Sequence, residues 1–116
     1  ATKLVGLVEH GKFLEDRKLC EKMVSKVLFE PFSRTNIDVA ILSSTHLPFL
    51  LPFLKKQFPN ITFVDPGKEV AQKVKKIVGR KQSKTNTMKI FTSSDPKKFQ
   101  KHLVRLGIKK SVSVLC

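Results

Sequence analysis

Two clusters of polar side chains follow apolar runs in this sequence, and they contain groups that acid–base or acyl-transfer sites use. Glu9 and His10 come directly after the apolar residues 4–8, and a second cluster follows residues 37–42, in the order Ser43, Ser44, Thr45 and His46. Carboxylate and imidazole groups transfer protons near neutral pH, and a hydroxyl beside a base can act as a nucleophile. These residues are the first candidates for a functional site.

Acyl transfer by Ser44 and His46 is the simplest hypothesis for the second cluster, and the sequence argues against it. The two residues stand two positions apart in one turn, and they lack the Gly-x-Ser-x-Gly elbow that presents a nucleophilic serine. The structural alternative is that the hydroxyls and His46 begin the helix predicted near Pro48, where such side chains accept backbone N–H groups. We therefore discount a serine hydrolase.

Strand and helix patterns alternate along the chain. Short β-branched and apolar runs predict strands at residues 4–8, 37–42, 61–64, 88–92 and 111–115. Amphipathic stretches between them predict helices at residues 14–29, 48–57, 68–78 and 96–106. This order predicts an α/β fold, a mostly parallel sheet with flanking helices in three layers, like a flavodoxin or Rossmann lobe. Both polar clusters would then lie at carboxyl ends of strands, where such sheets bind ligands.

Specific residues predict where the helices begin and end and which faces they bury. Pro31 is expected to end the first helix, whereas Asp95 and Pro96 are a natural N-cap and first residue for the last one, which Gly107 ends. In the third helix four residues are expected to face inward: Val70, Val74, Ile77 and Val78.

Length and composition predict one compact unit without metal or membrane segment. The chain has 116 residues, 41% of them hydrophobic, and the apolar run at residues 47–54 is well below the roughly 18 residues of a membrane span. The sequence shows no basic-then-apolar leader, so we expect a soluble cytoplasmic protein. Cys20 and Cys116 form neither a metal-ligand spacing nor a disulfide framework, and Cys20 is expected to be a small buried residue.

Positive charge is concentrated in the second half of the chain. Lys and Arg exceed Asp and Glu by 23 minus 9, and residues 73–110 contain thirteen basic residues against one acid, Asp95. This segment could contact a nucleic acid backbone or form the solvated face of helices. We favour the solvated face because the aromatic residues are all Phe and an aromatic-glycine strand motif for nucleic acid is lacking.

Four segments together resemble the glutamate racemases of the aspartate/glutamate racemase family, over nearly the whole chain. Residues 38–50 (DVAILSSTHLPFL) are similar to a strand followed by the family's Gly-Cys-Thr-His-Tyr-Pro-Leu-Leu. Residues 5–11 (VGLVEHG) resemble its Pro-Leu-Val-Glu-x-Gly segment, residues 63–67 (FVDPG) its Ile-Asp-Ser-Gly turn, and residues 91–99 (FTSSDPKKF) its Thr-Gly-Asp-Pro-x-x-Phe segment. Each match is weak alone, but their order and spacing agree with the C-terminal half of the family.

The resemblance implies a cofactor-independent racemase that interconverts L- and D-glutamate with two cysteines on opposite faces of the substrate. By position, His46 matches the histidine near the second cysteine, Glu9 a glutamate that tunes proton transfer, and Thr45 a substrate contact, with Ser43 beside it. Ser44 stands in place of the second cysteine, and an alcohol is far too weak an acid to serve as the resting base. The first cysteine belongs to an N-terminal lobe that this sequence lacks.

The resemblance also implies a domain organisation. Residues 1–78 would form the lobe with the Ser-Thr-His turn, residues 79–87 an exposed linker, and residues 88–116 a strand-helix-strand segment that returns to the missing lobe. Deprived of that lobe, the last two strands would pair otherwise, either by joining the first three strands or by exchange in a homodimer. The implied ligand is glutamate or aspartate; the alternative is a non-enzymatic basic module, derived from a racemase lobe, that binds an acidic partner or nucleic acid.

Overall fold

The computed structural model describes residues 2–79 and 83–115, and it divides the chain into two compact units. The first unit comprises Ala1–Gly79 and the second Arg80–Cys116. The expectation of one compact unit, which rested on length and composition, was therefore wrong. The predicted linker at residues 79–87 includes residues 80–82, and these, like Cys116, lie outside the described residues.

The first unit consists of helices and a two-stranded parallel sheet. Strand β1 (Val39–Ile41) pairs in parallel with β2 (Thr62–Val64), so that Ala40 lies opposite Phe63. The helices, in chain order, are α1 (Thr2–Glu9), α2 (Lys12–Glu15), α3 (Arg17–Arg34), α4 (Leu51–Gln57) and α5 (Gly67–Val78), with a 3₁₀ turn at Leu47–Leu50 before α4. Short parallel strands with flanking helices confirm the α/β class.

The first predicted strand, at residues 4–8, is wrong, because the chain forms helix α1 there. A short apolar run does not distinguish a strand from a buried helix. In α1 the apolar side chains recur at helical spacing: Leu4 and Leu7 are buried, and Val8 packs against the same core. Burial of this stripe offsets the helix cost of Gly6, about 0.5–1 kcal/mol relative to Ala.

Pro31 does not end the first predicted helix, which begins later and extends further than expected. Asp16 is its N-cap and accepts a hydrogen bond from the Leu19 N–H at 3.0 Å. Helix α3 continues through Pro31 to Arg34. Hydroxyl groups bind carbonyls near its end: Ser33 Oγ donates to the Phe29 carbonyl at 2.6 Å, and Thr35 Oγ1 to the Pro31 carbonyl at 2.7 Å. Pro31 has no N–H to donate to the Val27 carbonyl, and the two hydroxyls bind other carbonyls, in a type of contact that often bends a helix near its end.

One hydrophobic core holds the first unit together. Cys20 and Val24 of α3 are fully buried against α1 and α4, where Leu50 and Leu54 are also buried. Helix α4 is further attached to α3 because Lys56 Nζ donates to Glu21 Oε1 at 2.6 Å. This hydrogen bond lowers the pKa of the Glu21 carboxyl. The sequence-based expectation that Cys20 is a small buried residue is confirmed.

Helix α5 forms as predicted, but its apolar side chains do not face inward. Val70, Val74, Ile77 and Val78 are 49% to 76% exposed. Helical periodicity identifies which face of a helix is apolar, whereas burial also requires an element that covers this face. The prediction that these four residues are buried is therefore wrong for this chain.

The second unit is a strand-helix-strand segment with one described buried hydrophobic residue. Strand β3 (Ile90–Thr92) pairs in parallel with β4 (Val112–Val114), and helix α6 (Pro96–Arg105) connects them. As predicted, Asp95 caps α6, since its Oδ1 accepts from the Lys97 N–H at 2.9 Å. Gly107, with φ 82°, follows the helix end. Among residues 83–115, only Leu103 of the hydrophobic side chains is buried.

Within residues 2–79 and 83–115, every helix is too short or too polar to span a bilayer.

The buried thiol of Cys20 leads to a prediction about pH and stability. Burial raises the pKa of the Cys20 thiol, and the nearby Asp16 carboxylate raises it further. Above the pKa of an unfolded thiol, about 8.5, the unfolded chain loses a proton that the folded chain retains. The contribution of Cys20 to stability is therefore complete below that pH and is lost as the pH rises through the raised folded pKa.

Urea unfolding in a Cys116→Ser background tests this prediction. The difference in unfolding free energy between the Cys20 protein and its Cys20→Ala variant should be constant below about pH 8 and shrink above it. A thiol reagent should label Cys20 only after unfolding. A difference that grows with pH, or rapid labelling of the folded protein, would contradict the assignment.

Candidate functional site

A cleft opens where the two parallel strands of the first unit end side by side. The Leu42 N–H donates to the Val64 carbonyl at 2.9 Å. This bond extends the β1–β2 pairing by one residue before the two strands diverge. The cleft has a volume of about 460 Å³. Its lining comes from both strand ends and the helices that follow: residues 42–45, 48–49, 65–67 and 70. Carboxyl ends of parallel strands are the usual ligand sites of α/β sheets.

The polar turn at residues 43–46 forms one wall of this cleft. Ser43, Ser44 and Thr45 line it. Ser44 Oγ accepts a hydrogen bond from the His46 N–H at 3.1 Å, so this hydroxyl caps the turn. The His46 carbonyl then accepts from the Phe49 N–H at 3.1 Å, which begins the 3₁₀ turn. The role of a helix-start residue, the structural alternative for Ser44, is thus visible in the geometry.

Glu9 and His46, 37 positions apart in the sequence, lie together beside the turn. Glu9 Oε1 is 3.3 Å from His46 Nε2, and Thr45 Oγ1 is 3.4 Å from His46 Nδ1. Glu9 is the last residue of α1, whereas His46 precedes the 3₁₀ turn. A carboxylate, an imidazole and a hydroxyl therefore form a continuous row. Of the three, only Thr45 is part of the cleft lining.

The structure brings the five candidate residues to one end of the sheet, in two groups. Ser43, Ser44 and Thr45 present hydroxyl groups at the cleft, while His46 and Glu9 form an acid–base pair behind Thr45. His10, which follows Glu9 in the sequence, is exposed, and its N–H completes the end of α1 by donating to the Gly6 carbonyl at 3.0 Å.

The opposite wall of the cleft contains a residue that sequence reasoning assigned only to a turn. Asp65 follows β2 and lines the cleft, and its Oδ1 accepts from the Gly67 N–H at 2.9 Å. The turn assignment is correct as geometry. The position of Asp65 at the carboxyl end of a strand beside β1 was the signal that could have added it to the candidates.

Phe49 closes the cleft on its apolar side. Its ring packs against Phe13 of α2, with centroids 5.5 Å apart and planes tilted by 53°. Pro48 and Val70 add further apolar lining. In the described parts of the chain, His, Cys, Asp and Glu side chains do not gather in any group of three that could hold a metal ion. The cleft thus combines hydroxyl groups and one carboxylate with an apolar wall.

These features define a class: an α/β lobe whose parallel strands end at a small cleft lined by hydroxyl groups and one carboxylate. Comparison with known proteins narrows the class. The chain is 35% identical to the glutamate racemase of Persephonella marina over 97 residues, which are 84% of this chain and 36% of that protein. It is 30% identical to the glutamate racemase of Pasteurella multocida over 125 aligned residues, covering 98% of this chain and 44% of that protein.

Solved structures agree with the sequence comparison. The chain superposes on the crystal structure of glutamate racemase isoform RacE1 from Bacillus anthracis with a TM-score of 0.72 and 27% identity, covering 97% of this chain and 43% of that one. A scan against protein-family models matches none. The chain spans less than half the length of each of these three relatives.

By sequence and by fold, the chain belongs to the glutamate racemase family and corresponds to part of the length of these relatives. The resemblance inferred from the four sequence segments is thereby confirmed.

Proposed function

We propose that this chain is a glutamate racemase-like isomerase lobe, catalytically impaired on its own. The observation that carries the proposal is the cleft at the carboxyl ends of β1 and β2, with three hydroxyl residues on one wall and the His46–Glu9 pair beside it. The homology to glutamate racemases supports the same assignment. The proposed reaction is cofactor-independent interconversion of L- and D-glutamate, without a metal.

The cleft groups suit an acidic amino acid. The hydroxyls of Ser43 and Thr45 can donate hydrogen bonds to a carboxylate, and a carboxylate oxygen of Asp65 can accept from an α-ammonium group. The lining contains no Lys or Arg. Recognition of the ligand would therefore rest on hydrogen bonds rather than on ion pairs with a cation. We propose glutamate as the ligand, with aspartate as the competing candidate.

Ser44 limits the chemistry that this lobe can perform. A thiolate can remove an α-proton because its pKa lies within reach of neutral pH, whereas a serine hydroxyl stays protonated. Ser44 Oγ also accepts the His46 N–H. His46 and Glu9 are then the remaining acid–base groups, with Thr45 and Ser43 as substrate contacts. Without either thiol, the chain should not racemise glutamate by the two-thiol route.

Incubation of the chain with L-glutamate, followed by chiral chromatography, tests this limit. We expect glutamate to bind without interconversion, and amide resonances of residues 43–45 to shift in NMR titration. Thr45→Val should weaken binding roughly two- to tenfold, the effect of one lost hydrogen bond. The matched control is Thr62→Val on exposed β2, which should bind like the parent.

Two outcomes would contradict different parts of the proposal. Formation of D-glutamate by the chain alone would refute catalytic impairment. Shifts that spread over the surface, or equal affinity of Thr45→Val and the parent, would remove the ligand assignment at this cleft.

We also propose that exposed apolar side chains of this chain are covered by further polypeptide of the kind that the longer relatives possess. The apolar face of α5 is exposed, and so are several apolar side chains of the second unit, among them Met88, Phe91 and Leu115. Exposed apolar areas of this kind mark interaction sites. In this proposal residues 1–78 form the racemase-like lobe, residues 79–87 link it to residues 88–116, and this last segment belongs beside a further lobe of the kind that the longer relatives have room for. We place the protein in the cytoplasm.

A homodimer is one way to cover these surfaces when the lobe is absent. Light scattering of the full chain should then show a mass that rises from one to two chains with concentration. Phe91→Lys on β3 should shift the equilibrium toward the monomer, because it places a charge in the apolar area, whereas Lys89→Ala should not. A strict monomer at every concentration would exclude the exchange.

The alternative function is a non-enzymatic basic module that binds an acidic partner or nucleic acid. The observation in its favour is the net charge of +14, with exposed lysines Lys97, Lys98 and Lys101 on α6. Binding to a labelled oligonucleotide would weaken steeply as salt rises, because phosphate contacts release counterions. Glutamate binding at an uncharged wall should change little over the same salt range. We expect glutamate binding that changes little with salt. Oligonucleotide binding that weakens steeply with salt, together with NMR spectra that do not change when glutamate is added, would favour the basic module.

A further inference from the structure

The row of Glu9, His46 and Thr45 contains the groups of an acyl-transfer triad in the same order, carboxylate, imidazole and hydroxyl, with the two ring nitrogens exchanged relative to the Ser-His-Asp arrangement. A carboxylate can only accept hydrogen bonds. In the neutral imidazole, a proton on Nε2 is therefore the one that can be donated to Glu9 Oε1, 3.3 Å away. The lone pair of Nδ1 is then directed to Thr45 Oγ1 at 3.4 Å. The carboxylate thus selects the tautomer in which the ring can accept the Thr45 proton.

We propose that Thr45 is a nucleophile for acyl transfer, with His46 as its general base and Glu9 as the residue that positions His46. Sequence reasoning discounted Ser44 because it lies close to His46 in one turn without a Gly-x-Ser-x-Gly elbow, and Thr45 shares this setting. The structure distinguishes the two hydroxyls, because Ser44 Oγ accepts the His46 backbone N–H. Thr45, by contrast, contacts the imidazole ring and lines the cleft. This activity would be independent of the racemase-like function, although both use the same turn.

The cleft indicates which acyl groups Thr45 would accept. Leu42, Pro48, Phe49 and Val70 line it beside Thr45, and a cavity of about 460 Å³ has room for a small ester. The apolar part of the lining suits a short hydrocarbon acyl chain, whereas glutamate in the proposed function would use the hydroxyl groups and Asp65. The substrate class is therefore an ester of a small aliphatic acid with a good leaving group.

The reaction balances without a cofactor. The Thr45 hydroxyl oxygen forms a bond to the ester carbonyl carbon while its proton passes to His46 Nδ1. The carbon–oxygen bond to the alcohol then breaks, and the leaving group departs with the bonding electron pair. An alkoxide takes the proton from His46 Nδ1, whereas with a weakly basic phenolate His46 passes that proton to solvent. Water, deprotonated by His46, attacks the acyl-Thr45 ester in the second half, which releases the acid and restores the hydroxyl.

Acetylation by p-nitrophenyl acetate tests the proposal on the full chain. Peptide mapping by mass spectrometry should find one acetyl group on Thr45. Thr45→Val should abolish acetylation at this position, whereas Thr45→Ser, which keeps a hydroxyl, should retain it. His46→Asn should slow acetylation of Thr45 about a hundredfold, within the range for loss of a general base. Free imidazole added to His46→Asn should restore part of the rate.

The test of Glu9 requires a measurement that would not change if Glu9 had only a structural role. Glu9→Gln should lower the rate of Thr45 acetylation at least about tenfold, because an amide can stabilise the wrong tautomer. The thermal unfolding midpoint should stay within a few degrees of the parent, and Glu9→Asp should recover part of the rate. Thr62→Val and His102→Asn are the matched controls and should acetylate Thr45 like the parent.

Several results would overturn the proposal. These are acetyl groups confined to lysines, a folded Thr45→Ser variant without acetylation at position 45, or equal rates in the parent and in His46→Asn. Circular dichroism of each variant shows whether it is folded. Glutamate titration of the parent is a separate measurement, so failure of acyl transfer leaves the racemase-like assignment intact, and failure of glutamate binding leaves acyl transfer intact.

Discussion

Burial of Leu42 and Leu50 is the constraint on which the candidate site depends. Leu42, 5% exposed, ends the β1 segment, and Leu50, fully buried, ends the 3₁₀ turn. Both belong to the same hydrophobic core. The seven residues between them must therefore span the end of the sheet at the surface, with both ends held in the core. Polar side chains in this segment are displayed at the sheet end because neither end can move without exposing a leucine.

The same core brings Glu9 to His46. Leu4 and Leu7 of α1 pack against Cys20 and Val24 of α3, which fixes the direction of α1 and hence the place of its last residue, Glu9. An exposed carboxylate–imidazole contact contributes little stability by itself, about 0–1 kcal/mol. The contact is thus a result of helix packing rather than its cause. Such a pair can be placed for chemistry because hydrophobic burial elsewhere holds the backbone.

Much of this arrangement could be predicted from the sequence, because local patterns identify most elements. The alternation of apolar runs and amphipathic stretches indicated parallel strands with helices, and Asp95 with Pro96 indicated the start of α6. The residues at 4–8 were misassigned because five apolar residues fit a strand or a buried helix equally well. The decision between them came from tertiary packing of Leu4 and Leu7, which no local pattern contains. For α5, the sequence identified the apolar face but not whether another element of the chain covers it.

The candidate site shows the same division between local and tertiary information. The polar turn at residues 43–46 was visible because its residue types are unusual after an apolar run. The row through Glu9, His46 and Thr45 required the relative placement of α1 and the turn, and Asp65 required the pairing of β2 with β1.

At residue 44, the hydrogen bond that shapes the turn does not require the reactivity of a thiol. The turn needs an acceptor for the His46 N–H, and a hydroxyl oxygen supplies one at 3.1 Å. A fold can therefore keep the shape of a site while one atom changes the reactions open to it. In this lobe sulfur is replaced by oxygen at the position where the racemase resemblance expects a thiol. The turn keeps the imidazole of His46, which Glu9 Oε1 and Thr45 Oγ1 contact at 3.3 Å and 3.4 Å.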